Sequence, residues 1–239
     1  MWGLVGSSSL VLGAVIGLRL AIGRRALGLL MGFGAGTLIS AVSFELADEA
    51  LKEGGTVALG VGLAVGALAF WLGDRFVEGL GGEGRPQRPR GADAEGSGAA
   101  LVLGALLDGV PEQAAIGLSL AAGASGGVGV ALVAAIFISN VPESLASAAA
   151  MRAARRSRGQ VLALWLGVAV LTTLATLAGY GLLGGASGTV TGAVQALAAG
   201  AILVMLVDAM VPEAVRHGGK AVGLITVLGF AVAVLISQA

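Results

Sequence analysis

Long apolar runs alternate with short polar or glycine-rich breaks along the whole chain. Eight such runs predict membrane-spanning helices at about residues 2–22, 26–50, 55–73, 98–122, 126–150, 159–183, 188–213 and 219–238. Most reach the ~20 residues that a helix needs to cross a bilayer. The third is short at its strict limits. Residues 79–97 break the pattern with glycine, proline and charge, which predicts a disordered cytoplasmic loop. That loop parts three spans from five. The expectation is an all-α, polytopic, single transmembrane domain seated in a lipid bilayer.

Composition supports the membrane reading. The chain is 56% hydrophobic and 12% charged, with mean hydropathy +0.95. A soluble domain of this size carries roughly twice that charged fraction. Cysteine is absent, so neither a disulfide framework nor a thiolate metal site is available. Net charge is zero and by itself says little; no nucleic-acid partner is expected. The distribution of charge is more telling. On an eight-span threading, the odd-numbered loops or their helix edges hold Arg19, Arg24, Arg25, Arg75, Arg85, Arg88, Arg90, Arg152, Arg155, Arg156, Arg158, Arg216 and Lys220. Only Lys52 falls on the other side. Basic residues stay cytoplasmic, so both termini are expected outside an inner or plasma membrane. The start lacks a basic n-region, so no cleavable signal peptide is expected.

Two copies of one short pattern interrupt the fourth and fifth runs. The first is Asp108-Gly109-Val110-Pro111-Glu112 and the second Ser139-Asn140-Val141-Pro142-Glu143. A carboxylate deep in an apolar segment is costly and usually marks a site. Proline in a helix has no N–H and clashes with the carbonyl four residues earlier. Pro111 should therefore free the carbonyl of Leu107, and Pro142 that of Ile138. Asp108 and Glu112 share a helix face, as do Asn140 and Glu143. If the two helices face each other as an antiparallel hairpin across Ala122–Gly127, they offer an all-oxygen donor set. No lysine or arginine lies deep in a span to neutralise these acids. Such a cluster points to a cation or proton pathway.

Internal matches reinforce the pairing. At an offset of 31, Val110-Pro111-Glu112 matches Val141-Pro142-Glu143. At an offset of 164, Ala35-Gly36 matches Ala199-Gly200, and Glu49-Ala50 matches Glu213-Ala214. Each pairing joins helices that cross in opposite directions. The result is a 3+2+3 arrangement with inverted repeats, a design associated with secondary transporters. Span 6 adds Thr172, Thr173, Thr176 and Tyr180 without charge. The single histidine, His217, sits beside Arg216 at a predicted loop and is expected to be solvent-exposed. Gly62 and Gly66 have the spacing that allows a homodimer.

With these residues in view, the chain resembles the ZIP (Zrt/Irt-like) divalent-metal transporters, as a divergent member of prokaryotic type. The fourth-helix family pattern is His-Asn-x-Pro-Glu-Gly; here it stands as Asp108-Gly109-Val110-Pro111-Glu112-Gln113. The fifth stands as Ser139-Asn140-Val141-Pro142-Glu143-Ser144. The seventh ends Asp208-Ala209-Met210-Val211-Pro212-Glu213, and the second carries Ser43-Phe44-Glu45-Leu46-Ala47-Asp48-Glu49-Ala50. The resemblance implies metal ligands at Asp108, Glu112, Asn140 and Glu143. It implies pathway roles for Ser139, Asp208, Glu45 and Glu213, with Glu45 near the entrance and Asp208 toward the cytoplasmic exit. The family histidine is an aspartate here, its asparagine is Gly109, and span 6 lacks the acid that forms a second metal position. One all-oxygen site is therefore expected, favouring harder or broader divalent cations over zinc.

The expected function is transport of divalent cations, zinc or similar ions such as manganese, iron or cadmium, into the cytoplasm by alternating access. The metal is substrate, and no bound cofactor is expected. The alternatives are a transport-inactive homologue acting as a metal sensor or structural partner, and a proton-coupled carrier of another solute. An enzyme is not expected. HExxH, a second histidine and cysteine are all absent.

Overall fold

The computed structural model describes residues 1–80, 98–121, 130–183 and 186–238. About 94% of them are helical, and none is in a strand. The α-helices are α1 (Trp2–Arg19), α2 (Arg24–Ala41), α3 (Asp48–Leu80), α4 (Gly98–Ala121), α5 (Val130–Ala153), α6 (Arg158–Leu183), α7 (Gly188–Met205), α8 (Val211–Gly218) and α9 (Val222–Ser237). Two π-helical segments, Val42–Ala47 and Leu206–Met210, join α2 to α3 and α7 to α8.

Among the described residues, five helical stretches are long and apolar enough to cross a membrane. They are Trp2–Arg19, Arg24–Gly79, Val130–Ala153, Arg158–Gly181 and Gly188–Ser237. Arg24–Gly79 and Gly188–Ser237 are 56 and 50 residues long. At ~1.5 Å per residue each far exceeds a ~30 Å hydrocarbon layer. Each is broken once, at Gly55 (φ 74°, ψ 179°) and at Gly219 (φ 68°, ψ −153°).

That backbone region is open essentially to glycine alone. Gly55→Ala and Gly219→Ala are each expected to destabilise the protein by about 1–3 kcal/mol. Neither would meet a steric obstacle, since nothing lies within 4 Å of either would-be Cβ. Thermal unfolding in detergent checks this, and unchanged midpoints would show that the breaks do not depend on glycine.

The same pattern of elements occurs twice. Arg24 and Gly188 begin helices; Val42 and Leu206 begin π-helical segments; Gly55 and Gly219 break the chain. The members of each pair are 164 residues apart. The packing repeats as well. A Cβ on Gly36 would overlap the Thr226 carbonyl, and one on Gly200 the Leu63 carbonyl. A Cβ on Gly229 would overlap the Phe33 carbonyl, and one on Gly66 the Leu197 carbonyl. Thus α2 meets α9 as α7 meets α3, backbone to backbone, each pairing licensed by a missing side chain.

The core lies between α2, α4, α5 and α7, around Leu38, Ile116, Leu132, Ile136, Ile202 and Leu206. A second cluster joins α1, α5 and α6 through Leu10, Met151, Val161 and Trp165. The outer surface is apolar. Val57, Val61, Val65, Leu68, Leu72 and Phe76 form an exposed stripe along α3, and Leu224, Val227, Leu228 and Leu235 another on α9. Buried acids inside exposed aliphatics reverse the soluble pattern and are compatible with a membrane protein.

Four expectations need correction or placement. The third apolar helix continues to Leu80, so it is not short. Gly62 and Gly66 are buried against α7, at Ala196 and Leu197, so they are not free to form a dimer contact. α4 packs chiefly on α6 and α5 chiefly on α1, and α4 and α5 touch only lightly, rather than as a tight hairpin. The turn at 122–127 and most of the 79–97 loop, from residue 81 on, lie outside the described residues.

Candidate functional site

Pro111 and Pro142 each sit inside a continuous helix. Neither proline can donate the usual backbone bond, so the turn preceding each is weakened. The polar side chains gather beside these turns. Asp108 is 6% exposed, Glu112 1% and Asn140 1%. Ser139 is also buried and Glu143 is half-buried.

Asp108 and Glu143 lie close enough to Glu112 to repel a charge on it, and the Asn140 amide lies beside its carboxylate. Yet neither Glu112 oxygen, nor the Asn140 Nδ2, has a partner at hydrogen-bond geometry. Buried polar atoms are rarely left so. Among the described residues, no lysine, arginine or histidine is fully buried. An uncompensated carboxylate in such surroundings strongly favours an added positive charge. Also among the described residues, no three of His, Cys, Asp or Glu converge as a ready-made metal cluster. The acids are thus within electrostatic reach of one another without meeting at chelating geometry.

Local bonds hold the fifth-helix motif. The Ser139 hydroxyl donates to the Ile136 carbonyl at 2.9 Å. The Ser144 hydroxyl donates to the Asn140 carbonyl at 2.7 Å and reaches that of Val141 at 3.2 Å. α1 crosses here at Gly13, where a Cβ would overlap the Val141 carbonyl.

The other expected pathway residues stand apart. Glu45 lies half-buried in the first π-helical segment, and its charged neighbour is Glu49. Asp208 lies exposed in the second. Glu213 bonds His217 across one turn of α8, carboxylate to Nε2, at 2.8 Å. Their side chains are 15% and 17% exposed, so His217 is not the solvent-exposed loop residue that Arg216 suggested. The helix continues through it and turns the ring toward Glu213. π-helical turns recur at functional sites, and both here carry an acid.

Two buried amides have no motif that marks them in the sequence. Gln113 and Gln195 are both 0% exposed. Gln113 Nε2 and both side-chain polar atoms of Gln195 lack partners. For Gln113 the available signal was position, directly after Glu112 where the family pattern has glycine. For Gln195 no signal existed. No protein-family model matches the chain, and no curated protein matches it.

Proposed function

We propose that the protein carries divalent metal cations across a membrane into the cytoplasm, through an oxygen-donor site between α4 and α5. Asp108, Glu112, Asn140 and Glu143 bind the ion, as the resemblance to ZIP transporters implies. The observation that carries this reading is the buried Glu112 carboxylate, neither oxygen at hydrogen-bond geometry with a partner, with Asp108 and Glu143 near it and no buried lysine, arginine or histidine among the described residues. A divalent ion offsets that charge and draws the acids inward. In this reading the chain crosses eight times in a 3+2+3 arrangement with both termini outside. The breaks at Gly55 and Gly219 then turn each long helical stretch back through the bilayer. The repeated pattern at an offset of 164 supports paired halves around a central site.

The donor set is all oxygen, which favours hard cations over zinc. Purified protein is expected to gain thermal stability with Mn²⁺, Mg²⁺ or Ca²⁺ at least as much as with Zn²⁺. Liposome uptake across the same ions gives the companion measurement. Uptake of Zn²⁺ far above Mn²⁺ and Mg²⁺ would refute the selectivity argument. A protein that takes up no divalent ion would favour the runner-up, a transport-inactive sensor or structural partner. The observation on that side is the want of convergence among the three acids.

A further inference from the structure

The uncharged threonines of α6 are unexplained by a metal site that lies on α4 and α5. Their placement answers this. Thr176 is 3% exposed, and its hydroxyl reaches both the backbone carbonyl and the side-chain Oε1 of Gln113, each at 2.9 Å. Thr172 is fully buried one turn earlier. It packs on Gly109, where a Cβ would stand 2.9 Å from the Thr172 methyl carbon. Its hydroxyl donates to the Ala169 carbonyl at 3.2 Å, which leaves Ser7 of α1 as donor in their 3.0 Å bond. Gln113 has room because α1 presents Gly6, whose would-be Cβ lies 2.5 Å from Gln113 Nε2.

Thr172 and Thr176 are four residues apart on one face of α6. Gly109 and Gln113 are four apart on α4, and Pro111 lies midway between them. The two threonines therefore grip α4 on either side of Pro111, one contact within and one just beyond the turn that it weakens. Asp108 lies within that turn and Glu112 directly after it. With the turn loose, the two carboxylates would reorient independently. With α4 held, their relative direction is set by α6.

We propose that Thr172 and Thr176 are positioning residues that splint α4 across Pro111, fixing Asp108 and Glu112 in the orientation that receives a cation. This rests on the cation-transport reading above. The neighbouring Thr173 is a built-in control, because its hydroxyl donates only to Ala169 of its own helix, at 2.7 Å.

Four variants test the splint: Thr176→Val, Thr172→Ala, Thr176→Ser and Thr173→Val. Two readouts are needed. One is hydrogen exchange of the α4 amides from Glu112 to Gly117 in metal-free protein. The other is Mn²⁺ uptake into liposomes, split into KM and maximal rate. Loss of the Thr176 bond is expected to speed exchange, and to raise KM, by about three- to tenfold each, the worth of one buried hydrogen bond. Thr172→Ala, which removes the methyl carbon from Gly109, is expected to shift both in the same direction. Thr176→Ser keeps the donor and is expected to restore parental values, as is Thr173→Val. Parental exchange in Thr176→Val would overturn the splint. Faster exchange with a parental KM would overturn the positioning role and assign the seam to packing. A parent that takes up no divalent ion would instead overturn the transport reading, and the positioning role with it.

Discussion

Glu112→Ala and Glu143→Ala are each expected to abolish metal uptake in reconstituted liposomes, by about a hundredfold or more. Altering even the groups that support metal ligands costs 10–100-fold in affinity; removing a ligand costs at least as much. Stability should move the other way for Glu112. Its carboxylate is buried without a hydrogen-bond partner, so the apo protein carries a desolvation cost that a neutral side chain relieves. Glu112→Gln, nearly the same shape, is therefore expected to unfold at the same temperature as the parent or higher without metal, while losing uptake and metal-dependent stabilisation. That opposition separates a ligand from a structural acid. Parental uptake in Glu112→Ala would remove Glu112 from the site.

The second large effect is on folding. Gly36→Ala and Gly200→Ala are expected to destabilise the protein by about 1–3 kcal/mol or more, the usual cost of forcing volume into a packed interior. The obstacle in each case is a backbone carbonyl, of Thr226 or Leu63, which cannot swing aside as a side chain can. The two effects should be similar, because the two contacts are counterparts. Gly60→Ala is the matched control. Nothing lies within 4 Å of its would-be Cβ, and alanine is favoured over glycine in a helix by ~1 kcal/mol. Thermal unfolding in detergent reads all three. Equal midpoints for Gly36→Ala and Gly60→Ala would show that the backbone contact does not hold α2 to α9.

Local features of this chain were legible because they depend on neighbours in sequence. Apolar runs marked helices. The isolated Pro-Glu pairs marked polar positions within apolar helices, and of their glutamates Glu112 is 1% exposed. Two short matches at an offset of 164 share their spacing with paired helix starts, π-helical segments and glycine breaks that the sequence itself did not mark. The acids survived inspection by composition because a carboxylate in an apolar run is conspicuous wherever the helix packs.

What the sequence left open is which helix meets which. Two antiparallel runs bearing the same motif read naturally as partners, yet α4 packs on α6 and α5 on α1. The pairing follows the glycines, which let backbones approach where complementary glycine and carbonyl positions coincide. Gly62 and Gly66 read as a dimer surface until α7 is seen covering them. The threonines of α6 read as neutral filler until Gly109 and Gln113 are seen beside them. Composition and the apolar runs determined that this is a helical chain compatible with a membrane, and the motifs marked acids that lie in its interior. Only the tertiary structure decided how the turn at Pro111 is held and which groups surround Glu112. Side-chain chemistry is written residue by residue, whereas contact between helices depends on the match of two surfaces far apart in the chain.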